Sequence, residues 1–348
     1  MHHTKNDTFL RACRRKKTDY TPVWIMRQAG RYLPHYRKVR EKYDFITMCR
    51  TPEIAAEVTI QPVDVIGTDA AILFSDILVI PEAMGMNLVM NESKGPILTE
   101  PIKSEEDASR LKDIIPQEDL GYVLDAVKLV KSELNGRVPL IGFSGSPWTL
   151  LCYMVEGGGS KNFAKIKSMI YNNPALAHSI LDKLSSSVAA YLSAKIEAGV
   201  DAVQIFDTWG GILSEKDYME FSLPYIEKII AGIKRDSQPV IFFAKGAHYK
   251  TRRISRCGAD VLGLDWTMNL KKVKETTRGK IALQGNLDPC ILLGDEIRIK
   301  SEVVSILKSY GPGTGHIFNL GHGILPETDY HKVKMFVSFV KEESKKYH

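Results

Sequence analysis

One phrase recurs three times along the chain and constrains its fold more than any other feature: GTDAAILFSD at 67–76, GVDAVQIFD at 199–207 and GADVLGLD at 258–265. Each reads as a glycine that ends a helix, a short loop carrying Asp, an apolar run and then a second acid. Glycine just past a helix takes the left-handed conformation that residues with a Cβ resist. An unbroken apolar run of four or five residues belongs to a strand covered on both faces, as in a parallel sheet flanked by helices.

The stretch before the second phrase supplies such a helix. Asn172, Asn173 and Pro174 form a start signal, and Leu176, Ile180, Leu184, Val188, Leu192 and Ile196 then recur every four residues up to Gly199. The other apolar runs, read in the same way, predict eight strands near 23–26, 70–74, 140–143, 202–206, 240–243, 261–264, 281–283 and 316–319. Eight strands alternating with helical patterns predict an α/β fold, a single-domain (β/α)8 TIM barrel over residues 1–348, with frayed ends at 1–6 and 341–348. A doubly wound open sheet is the alternative.

A barrel places its chemistry at the carboxyl ends of its strands. The residues that follow the eight runs are Arg27 and Gln28 with Arg31, Ser75-Asp76, Ser144-Gly145, Asp207-Thr208, Lys245, Asp265-Trp266, Gln284-Gly285-Asn286 and Gly321-His322-Gly323. Nearly every strand thus ends in a polar or ionisable side chain beside glycine, which is what a binding funnel over an apolar core requires. Around the first of them, Arg27, Arg31, Arg37, Lys38 and Arg40 gather in a stretch that holds no acid between Asp19 and Glu41. Solvated basic helices usually interleave acids four residues away, so a distant acid or an anionic ligand must supply the counter-charge.

Guanidinium groups grip carboxylate or phosphate oxygens two at a time, and Arg31 stands one turn from Arg27 if that loop coils. The plainer roles are a structural pair for the arginines, a helix N-cap for Asp76, Asp207 and Asp265, a turn residue for His322, and core for Tyr153 in a helix after the third strand. EGGGSKNF (156–163) and GPGTGH (311–316) lack the Lys-Ser/Thr ending of a phosphate loop and read as a mobile lid and a connector.

Net charge of +6 without long Lys/Arg tracts favours a small anionic ligand over nucleic acid. The longest apolar runs fall far short of a membrane span, and the first residues carry no apolar signal core. Five scattered cysteines without a CxxC fit reduced thiols in the cytoplasm. His2 and His3 are terminal and the other histidines have no Cys or His at ligand spacing, so neither a metal nor a cofactor is expected.

Taken in order, MRQAGRYLP, FSDIL, SPWTLLCYMVEGGGSKNF, FDTWGG, the KG after the fifth strand, GLDW, LQGNLDP and NLGHGILP make the chain resemble the uroporphyrinogen decarboxylase family in its bacterial form, from about Asn6 to about Val340. The resemblance implies a cofactor-free homodimeric barrel enzyme that removes the carboxyl groups of the four acetate side chains of uroporphyrinogen III, giving coproporphyrinogen III and carbon dioxide. It implies that Arg27 and Arg31 hold substrate carboxylates, with Gln28 beside them. It likewise implies that Asp76 accepts pyrrole N–H groups and that Tyr153, Thr208 and His322 complete the site. Asp76, Arg27, Tyr153, His322 and an ordered water are left open as proton donors. Thr208 stands where some members have Ser, which keeps the hydroxyl, and LLCYM before the tyrosine is bulkier than usual. The rivals are a methyltransferase of the same superfamily, whose zinc pattern of His and Cys is missing at His248 and Cys257, and a non-catalytic tetrapyrrole carrier, which would not need Asp76.

Overall fold

The structure, a computed structural model, describes residues 4–91, 95–247 and 251–348. His2, His3 and His248, weighed above as metal ligands, lie outside them. Nine strands form among the described residues: β1 (Ala71–Ile72), β2 (Leu88–Asn91), β3 (Gly95–Leu98), β4 (Leu140–Gly145), β5 (Ala202–Asp207), β6 (Val240–Ala244), β7 (Val261–Gly263), β8 (Ala282–Gln284) and β9 (His316–Ile317). Seven of them make one curled sheet in the order β1-β4-β5-β6-β7-β8-β9, all parallel, with helices between successive strands. The antiparallel pair β2–β3, which places Leu88 opposite Leu98, stands apart and has no counterpart in the sequence expectation.

The expected strand at 23–26 is reduced to one bridge. Val23 pairs in parallel with Phe318, the Phe318 N–H donates to the Pro22 carbonyl at 2.8 Å, and on the other side the Asp69 N–H donates to the Val23 carbonyl at 2.8 Å. The segment therefore spans the gap between β9 and β1, and the fold is a (β/α)8 barrel whose first strand is vestigial. Its ladder stops because side chains replace strand partners. Ile25 N–H donates to Gln28 Oε1 at 3.1 Å and Met26 N–H to Asn319 Oδ1 at 3.0 Å.

The recurring phrase has one structural meaning at all three places. Gly67, Gly199 and Gly258 sit at φ +79°, +120° and +96°, the left-handed region their position in the phrase requires. Two residues on, each Asp closes a reciprocal clamp on the start of the preceding strand. Oδ2 of Asp69, Asp201 and Asp260 accepts the N–H of Val23, Leu140 and Val240 at 2.9, 2.7 and 2.8 Å. The same three aspartates return their own N–H groups to the carbonyls of those residues at 2.8, 2.8 and 2.9 Å. Each carboxylate also meets a base, Lys341, Lys131 and Arg235 in turn. The first acid of each phrase is thus spent on the amino end of the barrel.

Inside the barrel, Trp24, Ile72, Ile141, Ile241, Phe243, Val261 and Ile317 form one apolar cluster, and the short helix Thr8–Cys13 packs Phe9 and Leu10 into it. Three polar side chains in this core form a row: Trp24 Nε1 donates to Gln284 Oε1 at 2.9 Å and Gln284 Nε2 to Gln204 Oε1 at 3.3 Å, leaving Gln204 Nε2 without a partner among the described residues. A larger cluster, with Trp148, Leu184, Tyr191 and Phe242, fills the layer between strands and helices. Among the described residues, both end segments are bonded to the barrel. Asn6 donates to Asp69 Oδ1 at 2.9 Å, the helix Tyr330–Ser344 buries Ser344, whose Oγ accepts the Thr21 N–H at 2.9 Å, and the His348 ring lies within 3.1 Å of the Thr18 hydroxyl. A bonded backbone held at the closure of the barrel has no reason to fray.

Candidate active site

Arg27 follows the vestigial strand at φ +62°, so the loop does not coil as expected but passes through a tight left-handed turn. A residue with a Cβ holds this conformation only when its surroundings enforce it. Here Gln28 enforces it: fully buried, it accepts the Ile25 N–H and donates Nε2 to the Ala70 carbonyl at 3.0 Å. Gln28, expected beside the substrate, acts here as a brace whose amide is occupied at both ends by backbone groups.

Of the basic cluster, Arg37 and Arg40 are used within the fold. Arg37 Nη1 donates to the Arg31 carbonyl at 2.9 Å and Arg40 Nη1 to the Tyr43 carbonyl at 2.8 Å. Arg27 and Arg31 are exposed, and among the described residues neither guanidinium makes an ion pair or hydrogen bond. The Arg27 stem lies against Gly323, where an added Cβ would stand 2.8 Å from Arg27 Cγ. Gly321 likewise leaves room for the backbone of Asp265, 3.0 Å from an added Cβ. The glycines flanking His322 thus admit neighbours rather than free the ring.

Asp76 follows β1 and precedes the helix Val79–Ala83; its Oδ1 accepts the Leu78 N–H at 2.7 Å. It is half-buried, yet enough apolar surface surrounds it, including Phe45, Val79 and Leu88 in a small shared cleft, that burial pushes its carboxyl up from the usual range. The Leu78 N–H and the Arg27 charge pull the other way. Its second oxygen accepts no bond from the described residues.

Tyr153 is the half-buried member of the helix Pro147–Glu156, whose Trp148, Leu150, Leu151 and Cys152 are core. Burial raises its phenol, which also feels Asp76 and Arg27. Its ring centroid lies 6.3 Å from that of Trp209, next in the chain to half-buried Thr208. His322, half-buried, has its ring 6.4 Å from Phe243, and burial, helped by the charges of Lys245 and Arg27, lowers its pKa to about 4. The electrostatic neighbourhood therefore joins Asp76, Arg27, Tyr153 and His322. Arg31 is exposed and does not enter it.

The other acids expected at strand ends serve the scaffold. Asp207 is fully buried; its carboxylate accepts from Ser146 Oγ and Thr149 Oγ1 at 2.7 and 3.0 Å and from Ser222 Oγ at 2.7 Å. Because Ser146 caps the helix of Tyr153, Asp207 fixes that helix to the loop of Thr208. Asp265 ties its own loop to the one after β6, accepting the Thr267 N–H at 2.9 Å and the Gly246 N–H at 2.6 Å. Nor is the glycine-rich segment after Glu156 a free lid. Gly157 caps the helix at φ +84°, its carbonyl accepts the Leu98 N–H at 2.9 Å, and Glu156 Oε1 accepts the Lys165 N–H at 3.0 Å.

A family model described as uroporphyrinogen decarboxylase (URO-D) matches residues 4–343 of the chain. The uroporphyrinogen decarboxylase of Chlorobaculum tepidum is 55% identical over 349 aligned residues, covering 99% of each chain, and that of Chlorobaculum parvum is 54% identical over the same span. Among solved structures, a methyltransferase from Methanosarcina mazei aligns over 98% of this chain and 99% of its own with a TM-score of 0.80 at 21% identity, a likeness of fold.

Proposed function

Because the chain belongs to the uroporphyrinogen decarboxylase family, we propose that the mouth of this barrel decarboxylates the four acetate side chains of uroporphyrinogen III with Asp76 as the central catalytic group and no metal or cofactor. The enzyme is a carboxy-lyase of tetrapyrrole biosynthesis. A pyrrole acetate releases carbon dioxide when its ring first gains a proton at carbon, since the electrons left behind then flow into the cation. The substrate is its own electron sink, and the protein's task is to stabilise the positive charge.

The observation that carries this assignment is the Asp76 carboxyl group itself, half-buried and with one oxygen left over after the Leu78 N–H is served. At about 4 Å and an effective dielectric near 20, one opposite charge is worth roughly 4 kcal/mol, about three decades in rate. Unpaired Arg27 and Arg31 supply counter-charge to carboxylates that are not reacting in a given turnover. A grip on the departing carboxylate would favour the ground state, since carbon dioxide is neutral. Neutral His322, its pKa near 4, offers a hydrogen bond rather than an acid proton at neutral pH, and Tyr153 and Thr208 offer hydroxyls.

No helix among the described residues is long and apolar enough to cross a membrane. We place the enzyme in the cytoplasm and read it as a homodimer. Anaerobic incubation of the chain with chemically reduced uroporphyrinogen, resolving products by carboxyl number, tests the reading. Stepwise loss of four carboxyls is expected, with the same rate in the presence of a chelator. Absence of turnover would overturn the function, and inhibition by the chelator reversed by zinc would overturn the cofactor-free mechanism.

A further inference from the structure

The mouth holds a third cation that none of the roles above uses. Lys245, half-buried just past β6, has its N–H donating to the Asp207 carbonyl at 3.2 Å, beside Thr208. Its backbone is wedged against the neighbouring loop so closely that a Cβ at Gly211 would stand 2.7 Å from the Lys245 carbonyl oxygen and 2.8 Å from Gly246 Cα. Its ammonium lies 5.8 Å from the centroid of the Trp266 ring, which is 40% exposed. Among the described residues no acid pairs with it. Asp207 takes hydroxyls, and Asp265 takes the Thr267 N–H of its own loop and the Gly246 N–H next to Lys245. His322 feels Lys245, Arg27 and Asp265, so Lys245 shares the surroundings of the His322 ring with Arg27 and with an acid already engaged by backbone N–H groups.

A half-buried ammonium on a rigid loop without a counter-ion is costly unless a ligand supplies one. Resting on the proposed function, we infer that Lys245 and Trp266 form an anchor for one of the substrate carboxylates that the reaction leaves untouched, with the ammonium meeting the carboxylate and the indole covering the alkyl arm. The chemistry of a repeated reaction selects those carboxylates. Each acetate must come to Asp76 in its turn and leave as a methyl, so a contact to an acetate is lost during the sequence. Four of the eight carboxylates are present in every intermediate, and a cation held in place by backbone packing keeps its partner only if it grips one of these.

Lys245→Met and Lys245→Arg should be compared with the parent on the substrate with eight carboxylates and on the intermediate with five. For Lys245→Met, KM rises about 10-fold or more by the same factor for both substrates, kcat stays within a few-fold, and Lys245→Arg recovers most of the loss. Trp266→Leu, which leaves the charge, raises KM less and again equally, and thermal unfolding confirms that each variant folds. Unchanged KM for both substrates overturns the anchor. A fall in kcat alone would make Lys245 a reacting group, and an effect confined to the eight-carboxylate substrate would assign it to an acetate; either result overturns the inference. A parent inactive on both substrates would instead overturn the proposed function.

Discussion

At the scale of single residues, the site rests on an acid kept uncomfortable. Burial raises the Asp76 carboxyl against the help of Leu78 N–H and Arg27, so the surroundings as a whole disfavour the anion on which the proposed mechanism turns. The sign follows: a buried acid whose folded pKa is raised weakens the fold at pH values above the unfolded pKa and relieves it as pH falls. Asp76→Asn keeps shape and an acceptor for Leu78 but removes the charge. It should lower turnover by about 10² to 10³ while the melting temperature holds or rises. Turnover within a few-fold of the parent would falsify the electrostatic role and leave Asp76 a helix-start residue, for which Asn serves nearly as well. Arg27→Ala and Arg31→Ala test the opposite case. With no partner to lose, each should raise KM by about 10-fold yet shift stability by no more than about 0.5 kcal/mol; a stability loss with intact KM would make them structural.

At the scale of elements, the strands and their acids were readable because the signal is local. A helix-ending glycine, an Asp two residues on and an apolar run lie within one short phrase, and β1, β5 and β7 appear where those phrases stand. What could not be read is set by distant partners. Nothing local separates Asp76 from Asp207, since both follow a strand; only the hydroxyls of Ser146, Thr149 and Ser222, far off in sequence, turn Asp207 into scaffold. The bonds of Gln28 are likewise set by a distant partner, the Ala70 carbonyl, and the antiparallel β2–β3 pair, mostly half-exposed or exposed, carries no continuous apolar run to announce it. The clamps make their own prediction. Asp201→Ala strands the Leu140 N–H and the Lys131 ammonium together, so urea unfolding should show a loss of about 2 to 3 kcal/mol. KM should stay unchanged, because this carboxylate lies at the end of the barrel away from the mouth.

Across the whole molecule, acid should act through buried imidazoles. His316 is fully buried, stacked on Tyr310 at 4.4 Å, and its Nε2 lies 3.2 Å from the Gly285 carbonyl, whose pull towards the protonated ring is outweighed by burial. Burial lowers it to about 3, and His322 to about 4. For a base whose folded pKa is depressed, the unfolded chain binds the proton first. Stability is therefore intact above about pH 6.5 and drains as pH falls towards 4 and 3. Unfolding free energy should drop by on the order of 3 kcal/mol for each of the two rings between pH 7 and pH 4, and His316→Phe, which removes one proton site, should roughly halve that slope; an unchanged slope would assign the acid sensitivity elsewhere. Sedimentation at micromolar concentration checks the assembly, with a dimer expected and a monomer counting against it.

The two acids of each recurring phrase divide the barrel by labour. The first ties strand to strand at the base through backbone N–H groups, and the second faces the mouth, where it is free to serve as reacting group, loop anchor or hydroxyl hub. Because the base is stitched by main-chain contacts that do not depend on the mouth, each strand with its following loop behaves as an interchangeable cartridge. Loops above the second acid can be lengthened, shortened or exchanged in directed evolution while the stitching below stays the same, so new chemistries at the mouth need not be bought with a new foundation.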